Sequence, residues 1–218
     1  VLNGIKGLMS VLFPLISFPY ISKILQVDNV GRYNFANSII SYFVLLAGLG
    51  ISTYAIREGA RIRHNKHEFQ TFANEIFSSN VVSTIASYIL LIVCTILVPK
   101  FYVYKSLLII LSLQVIFKTI GIEWIYSIYE DYAYITIRSI AFQIISLALM
   151  FLLIRTPSDV NMYALITVIS SVGSNVLNYF HAKHYCKVHI TKNMNWKNHI
   201  KPILILFAMS VTIMIYVS

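Results

Sequence analysis

Residues 76–98 read IFSSNVVSTIASYILLIVCTILV, a stretch with no charged side chain whose length decides the class of fold. At a rise of about 1.5 Å per residue, a helix of that length covers roughly 30 Å, the thickness of the hydrocarbon core of a bilayer. Working outward, comparable runs recur at 2–25, 34–56, 106–129, 134–154, 162–180 and from 202 to the end of the chain. The whole chain of 218 residues is 58% hydrophobic and 11% charged, with a mean hydropathy of +0.74. Soluble domains hold roughly 45–50% and 25%. The pattern predicts an all-α polytopic membrane bundle of about seven transmembrane helices.

The net charge is +9, from 17 Lys+Arg against 8 Asp+Glu. Excess positive charge can mark nucleic-acid binding, but repeated membrane-length runs exclude that class, so the charge is read by position. Residues 57–72 carry Arg57, Arg61, Arg63 and Lys66. Residues 181–201 carry Lys183, Lys187, Lys192, Lys197 and Lys201, and every histidine falls in one of these two segments. The intervening loops hold Lys23, Arg32, Lys100, Lys105 and Arg155. If each run reverses the chain, the two basic segments share one side, and the positive-inside rule makes that side cytoplasmic. Lys6 ahead of an apolar core resembles a signal peptide, but no small-x-small site follows. The first run also contains Pro14 and Pro19, so it reads as a span kinked or locally unwound at the prolines. The chain begins at Val1 without an initiator Met, and a fragment or a trimmed start is expected.

Charge at the centre of a span costs about 2.5–3.5 kcal/mol, which makes each such residue a functional candidate. Lys118 lies halfway along 106–129, too deep for its stem to reach an interface. It is either a fixed cation for an anionic substrate or a structural lysine paired in the bundle. Glu123 and Arg138 stand roughly 10 Å on either side of a tight hairpin around Glu130 and are expected to pair. A structural lock is favoured over proton coupling, because an adjacent Arg lowers the proton affinity of a carboxylate. Polar stripes at helical spacing mark faces turned from lipid: Asn34, Asn37, Ser38 and Ser41; Ser139, Gln143 and Ser146; Thr167, Ser171, Ser174, Asn175 and Asn178. Such stripes serve close helix packing or line a hydrated cavity, and Lys118 among them favours the cavity.

Other chemistry is weakly signalled. His181, His184, Cys186 and His189 have a spacing that can ligate a metal, but no acidic or second thiol ligand accompanies them, so no metal is assigned. A basic loop near anionic lipid is the simpler reading. Cys94 lies in an apolar run and Cys186 in a basic stretch, an arrangement that argues against a disulfide. The phosphate-loop, nucleophile-elbow and zinc-protease motifs are absent from the sequence.

Several stretches resemble a known family. Residues 18–23 (FPYISK), 31–39 (GRYNFANSI) and 48–51 (GLGI), with Tyr54 and Ile56-Arg57-Glu58, are similar to the amino-terminal half of bacterial polysaccharide flippases. These are the Wzx-type O-antigen transporters of the multidrug/oligosaccharidyl-lipid/polysaccharide exporter superfamily. Glu123-Trp124, Glu130-Asp131-Tyr132 and residues 134–139 (YITIRS) match the same family. The resemblance implies a MATE-like fold with two six-helix lobes around an alternately opening cavity in the bacterial inner membrane. Its cargo is a polyprenyl-pyrophosphate-linked oligosaccharide repeat unit, its partners are membrane lipid and a coupling cation (proton or sodium), and it uses no cofactor. This chain then supplies a lobe at 1–180, a basic cytoplasmic loop at 181–201 and a truncated seventh helix at 202–218. Asn34, Asn37 and Ser41 are implied to face the sugar and Arg57 the pyrophosphate; Lys118, which matches no motif of the family, is a further candidate cation from its place in the span alone.

Two other functions compete with transport. One is a membrane-embedded enzyme of the same pathway, a repeat-unit polymerase or ligase, which is expected to carry a sizeable outward loop that this sequence lacks. The other is a truncated, non-transporting remnant.

Overall fold

A computed structural model describes residues 2–192 and 194–217. Ten α-helices carry the fold: α1 (Leu2–Gly48), α2 (Ile51–Ile62), α3 (Lys66–Leu97), α4 (Pro99–Val103), α5 (Lys105–Ile120), α6 (Glu123–Ile128), α7 (Tyr132–Leu153), α8 (Val160–Val168), α9 (Asn175–His181) and α10 (Trp196–Val217). A π-turn, Ile169–Gly173, joins α8 to α9, and no strand occurs among the described residues. Among the described residues, five stretches are long and apolar enough to cross a membrane by length and composition. Each of the seven apolar runs is helical, but their ends and interruptions differ from the sequence expectation.

The first correction concerns α1. The helix continues past Pro14 and Pro19, where hydroxyls three residues on, Ser17 Oγ and Ser22 Oγ, donate to the proline carbonyls. The chain turns instead at Gln26, whose φ is 63°. Two antiparallel arms result. Tyr20 Oη donates to the Ile154 carbonyl at 2.9 Å, Asn29 Nδ2 donates to the Pro157 carbonyl at 2.7 Å, and Phe13 and Ser17 share a cavity with Tyr33 and Asn37.

The run 34–56 is not one span. Its helix ends at Gly48, Leu49 and Gly50 take positive φ (42° and 71°), and α2 starts afresh at Ile51. Ile51, Tyr54, Ala55 and Gly59 face the core while Ser52, Thr53 and Arg57 are exposed, the periodicity of an amphipathic helix. Only Gly fits at position 50, because a Cβ there lies 2.8 Å from the Phe207 nitrogen and 2.9 Å from the Leu206 carbonyl carbon. The run 106–129 is likewise broken, at Gly121 and Ile122. That leaves α5 with 16 residues, ~24 Å and short of a full crossing.

The packing is inverted relative to a soluble protein. Helix α3 buries Ser79, Asn80, Ser83, Thr84 and Ser87 and exposes Ile85, Ile89, Ile92 and Ile96. Small polar residues permit close helix approach in lipid, while apolar side chains face the hydrocarbon. The buried hydroxyls and amides are spent on backbone: Ser87 Oγ donates to the Phe43 carbonyl at 2.8 Å, and both Asn80 Nδ2 and Ser83 Oγ donate to the Ala47 carbonyl. That carbonyl lies in the last turn of α1, where intrahelical donors run out. The two basic segments meet at one end of the bundle, joined by the paired hydrogen bonds between Gln70 and Lys187, and Arg63 there also donates to Glu130 in the turn between α6 and α7. Lys23, Arg32, Lys100, Lys105 and Arg155 belong to the loops and helix ends at the opposite end.

Candidate functional site

Helix α1 presents Asn37 and Ser41 from its second arm, four residues apart and hence on one face. Helix α5 presents Gln114 and Lys118 with the same spacing. Gln114 Nε2 donates to Asn37 Oδ1 at 3.3 Å, which ties the two helices together through their polar faces. On one side of this link lies a cavity of about 300 Å³ inside the bundle, bordered by Ser17, Asn37, Gln143, Thr167 and Ser171. On the other lies an open groove of about 480 Å³ between α1, α5 and α10, bordered by Ser41, Gly48, Thr53, Lys118 and Ser210. Gln114 borders both, so the two spaces adjoin across its hydrogen bond to Asn37.

Lys118 is exposed into the groove and makes no ion pair or hydrogen bond among the described residues. It stands in the last turn of α5 because the helix ends at Ile120, not halfway along an unbroken span. Arg57 lies one turn beyond Thr53 on the exposed face of α2, outside the residues that border the groove. Its Nε donates to Glu58 Oε1 at 3.0 Å, and Glu58 also accepts from Arg61 at 3.1 Å, so this cation is shared within a surface cluster. The structure therefore places Ser41 and Lys118 on one groove, connects Asn37 to it only through Gln114, and leaves Arg57 outside it. Asn34 is exposed and borders neither space. Gln114 was missed by sequence reasoning, although its position one turn before Lys118 signalled a shared face.

Glu123 and Arg138 form the expected pair, with Arg138 Nη2 to Glu123 Oε1 at 3.2 Å. Arg138 is 5% exposed in its side chain and Glu123 is 42% exposed. The Arg138 guanidinium also lies 5.7 Å from the Tyr134 ring centroid. This pair stands on α6 and α7, away from the residues that border the groove.

The groove's third wall, α10, is anchored by a clamp that the sequence did not disclose. His199 Nδ1 meets Tyr54 Oη at 2.8 Å and its Nε2 meets Glu75 Oε2 at 2.9 Å, so one imidazole joins α2, α3 and α10.

A helical membrane bundle whose cavities are bordered by amides, hydroxyls and a lysine defines a class: polytopic membrane proteins with polar groups inside the bundle. The chain belongs to the polysaccharide biosynthesis protein family, whose profile matches residues 3–217. A protein of Escherichia coli (strain K12) with the provisional name of O-antigen transporter is 23% identical over 149 residues, 68% of this chain. The chain spans 36% of that relative's length. No solved structure matches the chain. The apolar helices make it a multi-pass membrane protein.

Proposed function

We propose that this chain is the amino-terminal lobe, with the first helix of the second lobe, of a flippase for polyprenyl-pyrophosphate-linked oligosaccharide units. It works by alternating access in the bacterial inner membrane, with a proton or sodium ion as the coupling cation and the basic end in the cytoplasm. One observation carries the reading: a free lysine, Lys118, shares an open groove with Ser41, Thr53, Gln114 and Ser210, and Arg57 stands one turn beyond Thr53 on the exposed face of α2. Sugars take amide and hydroxyl partners, whereas a pyrophosphate takes a lysine or an arginine fork. The pairing of both chemistries in one groove suits a cargo that carries both.

The test is complementation of a flippase-null strain with the full-length protein, reading surface polysaccharide at matched protein abundance. Lys118→Ala and Asn37→Ala should each lower export several-fold, while Asn34→Ala should not. Arg57→Ala should impair export and Arg57→Lys retain part of it, because lysine keeps the charge and loses the fork. Wild-type export from both Lys118→Ala and Arg57→Ala would remove the groove from the cargo path.

A further inference from the structure

A second pair of lysines, separate from the groove, lies where the sixth span leaves the apolar zone. Val176, Leu177 and Phe180 on α9 are exposed apolar residues and mark the lipid side. One turn beyond Phe180 comes Lys183, whose ammonium sits 5.4 Å from the Phe180 ring centroid, the posture of a lysine reaching from an apolar surface to the headgroup level. Beside it opens a cavity of about 410 Å³, floored by Ile122, Tyr179, Ala182 and Val188 and flanked by Lys183 and Lys187.

Lys187 is not a loose surface lysine, because its backbone is fixed on both sides. Gln70 Oε1 accepts from the Lys187 N–H at 3.0 Å, and Gln70 Nε2 donates to the Lys187 carbonyl at 2.7 Å. The same register continues along α3: Asn74 Oδ1 accepts from the His189 N–H at 3.0 Å and Ser78 Oγ from the Thr191 N–H at 2.8 Å. Every second residue of the connecting segment thus meets every fourth residue of the helix. The match is geometric, since two extended residues advance roughly 6.6 Å and four helical residues about 6 Å. This strap holds Lys187 at the cavity's edge, with Lys183 on the facing turn.

Neither lysine has a carboxylate partner among the described residues, and no acid borders the cavity. Cys186 in its wall does not offset the charge, because burial pushes its thiol up to about 12 and keeps it neutral. An apolar floor at the lipid boundary with two uncompensated cations above it is complementary to an anionic amphiphile. We propose that this cavity is a binding site for an anionic phospholipid of the leaflet at the basic end, its phosphate between Lys183 and Lys187 and its glycerol and upper chain against the floor. The proposal does not depend on what the groove beside Lys118 carries.

The test is native mass spectrometry of the purified full-length protein titrated with phosphatidylglycerol, phosphatidylcholine or inorganic phosphate. Wild type should retain phosphatidylglycerol at least tenfold more tightly than phosphatidylcholine, and millimolar phosphate should not displace it. At about fivefold per lysine near a membrane surface, Lys183→Gln with Lys187→Gln should weaken retention about thirtyfold. Lys66→Gln with Lys192→Gln removes the same charge from the same end and should leave retention within about twofold. Val188→Trp, which fills the cavity and keeps both lysines, and Gln70→Ala, which frees the strap, should each weaken retention. Equal retention of the two lipids, an equal loss in the control pair, or displacement by phosphate would overturn the proposal. Undiminished retention in Val188→Trp would overturn it as well.

Discussion

The Glu123–Arg138 pair makes a prediction whose size follows from unequal burial. Arg138 is 5% exposed and Glu123 42%, so the two single removals are not equivalent. Glu123→Ala strands a guanidinium that water does not reach, and an uncompensated buried charge typically costs about 3–5 kcal/mol. Arg138→Met leaves a carboxylate that is already 42% exposed, and its cost should stay near the 0–1 kcal/mol of an exposed pair. Methionine also replaces much of the apolar stem that packs near Tyr134. At roughly 2–4 °C per kcal/mol for a chain of this size, Glu123→Ala should lower the melting temperature in detergent by about 6–20 °C and Arg138→Met by no more than about 4 °C. The double variant should recover most of the Glu123→Ala loss. The assay is thermal unfolding of each full-length variant at matched detergent and salt, with transport per inserted molecule as a second reading. Equal losses in the two single variants would refute the burial argument. Normal thermal stability with abolished transport would instead make the pair part of the coupling machinery.

Two further predictions concern the topology and the turn after α1. Cysteines placed at His64 and Lys192 should resist an impermeant thiol reagent in intact cells and react after lysis, while one at Ser158 should react in both; labelling at 64 from outside would reverse the orientation. In the same experiment native Cys186 should stay unlabelled in the folded protein, since it is buried with its thiol held at about 12. Gly50→Ala forces a side chain into the backbone of α10 at a φ of 71° and should cost about 1–3 kcal/mol. Gly48→Ala, where nothing lies within 4 Å, should be neutral by the same unfolding assay.

The helical runs were legible because membrane-length apolar stretches need no tertiary partner to be recognised. Their interruptions were not. Hydropathy scores Ile51, Tyr54 and Ala55 as it scores lipid-facing residues, although these side chains pack on protein, so the second run was carried through to Ile56. The break at Gly121 and Ile122 had no proline to announce it. The ion pair could be placed because a hairpin converts separation in sequence into depth by simple arithmetic. The polar stripes were harder, since a stripe that packs and a stripe that lines a groove have the same spacing. Span three carries Ser79, Asn80, Ser83, Thr84 and Ser87 as regularly as span two carries Asn37 and Ser41, yet the first is buried and the second borders open space. What separates them is the ending of α1 at Gly48. That ending leaves the Ala47 carbonyl in need of donors, which Asn80 and Ser83 supply from α3. On the opposite side it bends Gly48, Gly50 and Thr53 away to form the rim of the groove that holds Lys118. The packed stripe and the open one are therefore two faces of a single turn, and in the sequence that turn is marked by little more than Gly50.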